Sequence, residues 1–242
     1  MKKINFIAST QEVYASENPP IPAYQGIPDW FKNIPPERES FLLNPRTKST
    51  VKKCVPFLDA LTTGYLLRCP QDIYVSRDIN NNVISEWAVA RLNEKPPFDS
   101  IPVFDADKPE TRYEGLEVND AFNPQVWRMN LYPRIETPDG YSILITHPFN
   151  RYDLPFLTLS GIIDSDKLHG PMSVSMFLRD DFVGIIEKDT PVAQVFPFKR
   201  ENWNHGIEKP YSKDEEDKHH FAIFSKMVRS YQTNFWSKKT YK

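Results

Sequence analysis

The sequence predicts a mainly β protein, a barrel or sandwich of short strands with a Pro-rich N-terminal arm and a C-terminal α-helix. Three observations carry that reading. From 156 to 198, short apolar runs are separated by breaks rich in Gly, Asp and Lys at hairpin-like spacing, which is how strands are punctuated. Within this stretch Met172, Val174, Met176 and Leu178 alternate with Ser173, Ser175 and Phe177, and period two is the period of a sheet. The 242 residues include 22 Pro, only 8 Gly and 13% aromatics. Frequent Pro interrupts helices and central strands, which favours short strands joined by long surface loops.

In chain order, Lys3 to Ser9 reads as an opening strand. The arm at 17–48 follows, with Pro19, Pro20, Pro22, Pro28, Pro35 and Pro36 among Tyr24, Trp30 and Phe31. Each Pro biases its predecessor away from the helix, so the arm is extended apart from one helical turn at Ile27 to Asn33. Its aromatics point to an arm packed on the core, in preference to a proline-rich ligand for another domain. Thr50 to Leu67 predicts a short buried helix through Cys54, Phe57, Leu58 and Leu61, a break at Gly64, and then a strand. Gln71 to Arg77 and Val83 to Arg91 form a hairpin around the Asn80-Asn81-Asn82 run. The stretch 93–124 has little periodicity and reads as a loop or insertion.

Val126 to Tyr132 and Tyr141 to His147 are strands, the second following the turn Thr137-Pro138-Asp139-Gly140. Phe156 to Ile163, Pro171 to Leu178, Phe182 to Ile186 and Val192 to Phe198 complete the sheet, with Arg179, Asp180 and Asp181 at a hairpin tip. Ser212-Lys213-Asp214-Glu215 is a capping box that starts a long helix. Phe221, Phe224, Val228, Tyr231 and Phe235 then form one apolar stripe, either against the chain's own sheet or against a neighbouring subunit. The expected organisation is one β-rich domain at 1–210 and an amphipathic helix at 211–242.

A net charge of -2 argues against whole-chain attraction to nucleic acid or to anionic membrane. The start lacks an apolar run long enough for a signal peptide, and no segment approaches the roughly 18 apolar residues of a membrane span. The expectation is a cytoplasmic protein with no membrane partner. Cys54 and Cys69 have no metal-site spacing and read as buried thiols. The histidines suggest no metal site either. His219 and His220 are adjacent and diverge on a helix, while His147, His169 and His205 are scattered.

Two short stretches resemble motifs of the trimeric dUTPases and their dCTP deaminase relatives, which share the β-clip fold. Gly161-Ile162-Ile163-Asp164-Ser165-Asp166 is similar to their third motif and Val192-Ala193-Gln194-Val195 to their fourth, in the same order and about two strands apart. The resemblance implies a β-clip fold, a homo-oligomer that is a trimer in this family, and sites built between subunits. It would make Asp164 the carboxylate that orients the attacking water, with Asp166, Gln194, Ser142 and Arg151 around it and magnesium as cofactor.

The departures are specific. Lys167-Leu168-His169-Gly170 lacks the family's sugar-stacking Tyr, Leu66 and Leu67 stand near Gly64 where a metal-binding acid belongs, and no Gly-rich C-terminal arm follows. The Pro-rich start, the Val51 to Leu67 segment and the aromatic C-terminal helix also resemble a family of tailed-phage and bacterial proteins, to which no function attaches. The expectation is therefore a β-clip protein, phage-encoded, that acts by assembly or binding, has no cofactor, and has a virion or host protein as partner. A dUTPase-like or deaminase-like hydrolase with divergent motifs and magnesium is the alternative.

Overall fold

A computed structural model describes residues 2–8, 18–39, 48–79, 83–87, 113, 115–131, 133–168, 170, 172–224 and 230–241. The predicted loop or insertion at 93–124 and the Asn80 to Asn82 turn fall largely or wholly outside these residues. The architecture is mainly β, and among the described residues every strand pairing is antiparallel.

In chain order, β1 (Asn5–Ala8), β2 (Ile21–Pro22), α1 (Asp29–Asn33), β3 (Glu37–Arg38) and β4 (Lys48–Ser49) precede α2 (Val55–Thr62). Then come β5 (Tyr65–Arg68), β6 (Ile73–Arg77), β7 (Val83–Trp87), β8 (Phe122–Leu131), β9 (Pro133–Glu136) and β10 (Tyr141–Thr146). The remaining elements are β11 (Phe156–Thr158), β12 (Gly161–Ile163), β13 (Met172–Arg179), β14 (Gly184–Ile186), β15 (Pro191–Lys199), α3 (Lys213–Phe224) and α4 (Ser230–Asn234).

The main sheet has the order β12-β10-β15-β5-β2. The other described strands form two three-stranded sheets, β11-β13-β8 and β14-β6-β7, and the pairs β1-β9 and β3-β4. The core lies between these layers. The alternation foreseen in β13 buries Met172, Val174, Met176 and Leu178 against Trp127 and Met129 of β8, Ile143 and Ile145 of β10, and Val192 and Val195 of β15. Ser173 and Ser175 take the half-buried opposite face, but Phe177 is buried as well, so β13 is covered on both sides.

Four expectations need correction, three in the body and one in the C-terminal segment. The single strand predicted over 156–163 is two strands in different sheets. The Leu159 N–H still bonds to Ser175 O of the β13 edge at 2.8 Å, and at Ser160 the chain crosses to β10, where its hydroxyl meets that of Thr146 at 2.9 Å. The Asp180-Asp181 turn likewise joins strands of different sheets and is not a hairpin tip. Cys69 is buried, its thiol directed to Gln71 O and pushed up to about 12 by that burial, whereas Cys54 is exposed just before α2.

The arm lies against the body. β2 pairs with β5, and the Ala23 N–H donates to Gly64 O at 2.9 Å. Phe31 is buried and stacked on Phe57, with Trp30 edge-on to both, which gives the two anchors of the predicted helical turn a role in packing.

The C-terminal segment departs from a single long helix. α3 starts where the capping box places it, with Glu215 Oε2 accepting from both the backbone N–H and the hydroxyl of Ser212. The described part of α3 reaches Phe224, residues 225–229 with Val228 lie outside the described residues, and α4 lies back alongside α3 so that the Asn234 side-chain amide donates to Ala222 O at 3.3 Å. Phe221 is 75% exposed, and Tyr231 and Phe235 are exposed as well, so these described members of the stripe are not buried against the chain's own sheet.

Gly64 joins α2 to β5 at φ +78°, and a Cβ there would sit 2.2 Å from Val195 O of β15. Gly64→Ala therefore meets both the left-handed backbone penalty and a clash with the central strand. It should lower the free energy of unfolding by more than about 2 kcal/mol, as measured by urea denaturation.

Candidate functional site

The residues around Asp164 are assembled by three chain segments. At the end of β12 the backbone turns tightly, with Lys167 N–H and Leu168 N–H both donating to Asp164 O at 2.9 Å. This turn lies beside the Thr137 to Gly140 turn that leads into β10. Ser165 is buried between them, its hydroxyl 2.7 Å from that of Thr137. The third segment is the end of β15, where the Arg200 N–H donates to Gly140 O at 2.9 Å.

The side chains then form one connected network. The buried Ser142 hydroxyl donates to Asp164 Oδ1 at 2.7 Å. Arg200 Nη1 donates to Ser142 Oγ at 2.9 Å, Asp166 Oδ1 at 2.9 Å, Asp164 Oδ1 at 3.2 Å and Tyr141 O at 3.0 Å. Its Nη2 donates to Asp166 Oδ2, which also accepts the Gly140 N–H at 2.9 Å. This is the two-pronged carboxylate pairing that a planar guanidinium favours. The Asp166 side chain is 4% exposed and that of Asp164 53%.

The electrostatics follow from this geometry. The hydrogen bonds from Arg200, and then that from the Gly140 N–H, hold the Asp166 carboxyl far below its ordinary value, and Arg200 is raised in return. A carboxylate held so low is a poor proton acceptor at neutral pH. The place a divalent cation would take between Asp164 and Asp166 is filled by the guanidinium, so these residues do not fit magnesium. Among the described residues no group of three or more His, Cys, Asp and Glu side chains is positioned to hold a metal ion.

Within one chain the other candidates lie apart from this network. Gln194 is 1% exposed, and its amide is fully used. Oε1 accepts the Phe149 N–H at 2.8 Å, while Nε2 donates to Ala60 O at 2.9 Å and Thr63 O at 2.6 Å. In the ladder Ser142 faces Phe198 and Thr146 faces Gln194. Four residues along a strand put Gln194 about 13 Å from the Ser142 position. Arg151 forks onto Asp153 with contacts of 2.9 to 3.2 Å, and Trp30 Nε1 donates to the same carboxylate. Beside them burial pushes the His147 imidazole below its ordinary value. Thr158 N–H donates to its Nδ1, which leaves the proton on Nε2 to reach Arg151 O.

Arg200 is the residue the sequence did not reveal. It follows an apolar strand inside Lys199-Arg200-Glu201, which reads as an ordinary charged strand end. Only the β10–β15 register, in which Lys199 faces Tyr141, brings it over Gly140 and the two carboxylates.

No family model matches this chain, and no curated protein matches it. Among solved structures, a mutant dUTPase from phage phi11 of S. aureus, described with a structural Mg(II) ion, aligns with 44% of this chain and 91% of its own. The identity is 13% and the TM-score 0.25, too low for the overlap to argue fold or function. No described helix is long and apolar enough to cross a membrane.

Two substitutions separate structural from chemical roles. Gln194→Leu leaves the Phe149 N–H and the carbonyls of Ala60 and Thr63 without this partner and should cost roughly 2 to 4 kcal/mol of stability in urea. Arg200→Met removes the group that lowers Asp166. Because a depressed carboxylate stabilises the fold above its unfolded value and loses that contribution as pH falls, the stability gap to wild type should be full at pH 7. It should begin to narrow only once the pH drops below the ordinary value of 3.8 and remain partly open at pH 3, because the folded value lies further down still, read as urea midpoints at pH 7 and pH 3.

Proposed function

We propose that this protein works by assembly or binding on a β-clip-like scaffold and does not hydrolyse nucleotides. The observation that supports this best is the Arg200 guanidinium spanning Asp164 and Asp166. Hydrolysis needs a carboxylate free to orient and deprotonate water and a cation to hold phosphate charge. Here one arginine engages both acids, the Ser142 hydroxyl bonds to Asp164, and Gln194 is committed to holding α2. The network reads as a cross-link that fastens β10, β12 and the end of β15 together.

The segment after Arg200 supports the assembly half of the reading. Residues 201–221 are exposed throughout and carry Trp203 at 86%, Ile207 at 96%, Tyr211 at 68% and Phe221 at 75% exposure. Large exposed apolar side chains concentrated in one segment are a feature of interaction surfaces. The partner that fits this reading is a further copy of the chain, and a trimer is the expected state.

The test uses the intact protein with each deoxynucleoside triphosphate and magnesium, followed by chromatography of the products. The expected result is no pyrophosphate release and no deamination, with Asp164→Asn indistinguishable from wild type. Turnover that disappears in Asp164→Asn would instead establish the nucleotide hydrolase that the Ser142–Asp164 pairing leaves as the alternative. In light scattering the wild type should have the mass of an oligomer, and Trp203→Glu should shift it toward the monomer.

A further inference from the structure

The last residues of the chain behave as a ligand of its own body. After the exposed excursion through α3 and α4, the chain returns and fastens at one place on the surface of α2 and β5. The indole N–H of Trp236 donates to the two Asp59 oxygens at 3.1 and 2.9 Å, and the Lys239 ammonium reaches Asp59 Oδ2 at 2.6 Å. Two residues further on, the Tyr241 ring stands edge-on to Tyr65, with 5.8 Å between centroids.

The receiving surface is built for this contact. Asp59 is in the last turn of α2, where the helix dipole disfavours a carboxylate, so a cation and an N–H donor relieve a local conflict. Its side chain is 18% exposed. Tyr65 is held between Phe6 on one side and Tyr241 on the other, which joins both ends of the chain at one ring. Burial raises the hydroxyls of Tyr65 and Tyr241 alike, as expected of two phenols that shield each other from water.

We infer that the surface around Asp59 and Tyr65 is a receptor for a Trp-x-x-Lys-x-Tyr segment, and that a second copy of the chain supplies that segment in the assembly. Trp236 lies 36 residues beyond Arg200, the last residue fixed in the carboxylate network. The non-helical run 201–212 alone can span about 40 Å. Nothing in the contact requires tail and receptor to belong to one chain, and exchanging an identical element is a low-cost route to a closed oligomer. The inference rests on the assembly reading and can fail separately from it, since nucleotide turnover would defeat that reading without touching this contact.

Two full-length variants isolate the receptor from its ligand. Asp59→Asn keeps the tail and loses the carboxylate, whereas Trp236→Ala combined with Lys239→Ala keeps the receptor and loses the tail. A fluorescein-labelled peptide of residues 236–242 should bind the tail variant at least about tenfold more tightly than wild type, whose own tail competes at millimolar effective concentration. It should bind Asp59→Asn no better than wild type. When the two variants are mixed, hydrogen exchange at 236–241 of the Asp59→Asn chain should slow as its tail enters the intact receptor. Equal peptide affinity for all three proteins, or unchanged exchange on mixing, would overturn the inference. The peptide arm does not depend on Asp59→Asn folding, because the tail variant leaves the body's side chains unaltered.

Discussion

Two carboxylates two residues apart at the end of a strand repel each other, and the turn after β12 closes because the Arg200 guanidinium lies between them. The arrangement ties three segments distant in sequence, since Arg200 bonds to Asp164 and Asp166 by its side chain and to Gly140 by its backbone. Ser142 and the Gly140 N–H use further lone pairs of the same two acids. A charge pair so thoroughly hydrogen-bonded specifies one geometry at the edge of the main sheet. The same pairing commits Asp166 and one oxygen of the half-exposed Asp164 to holding the turn.

Gln194 plays the corresponding part at the other end of the β10–β15 ladder. A buried primary amide must satisfy its donors and its acceptor, and this one does so with two carbonyls near the end of α2 and the N–H of Phe149. It thereby sets α2 against the central strand, next to the close approach that Gly64 permits. The placement of α2 in turn presents Asp59 and the neighbouring Tyr65 to the returning tail. β15 and the residue that follows it thus carry two polar fixtures of the body, Gln194 and Arg200.

Much of the architecture was legible because its causes are local. Period-two alternation in β13, the helical turn around Trp30 and Phe31 in the Pro-rich arm, the Gly64 break between α2 and β5, and the capped start of α3 all depend on side chains within a few positions of one another. Where the reading failed, the cause was a neighbour in space. The strand over 156–163 looks continuous because both halves are apolar, and only the competing edges of β13 and β10 divide it at Leu159 and Ser160. Cys54 looked as buried as Cys69 because both lie among apolar residues, yet only Cys69 faces the core.

The candidate site divides in the same way. The sequence by itself determined that Asp164 and Asp166 would stand together at the tip of a tight turn, since two residues of backbone cannot separate them far. It also determined that a polar Gln194 would interrupt the apolar run of β15. Whether those groups are available for chemistry was decided by the tertiary structure. Strand register sets which charge opposes which, and it brings Arg200 over both acids while burying Gln194 beneath α2. Charge compensation and burial are properties of neighbours in space, and the run Gly161 to Asp166 does not contain them.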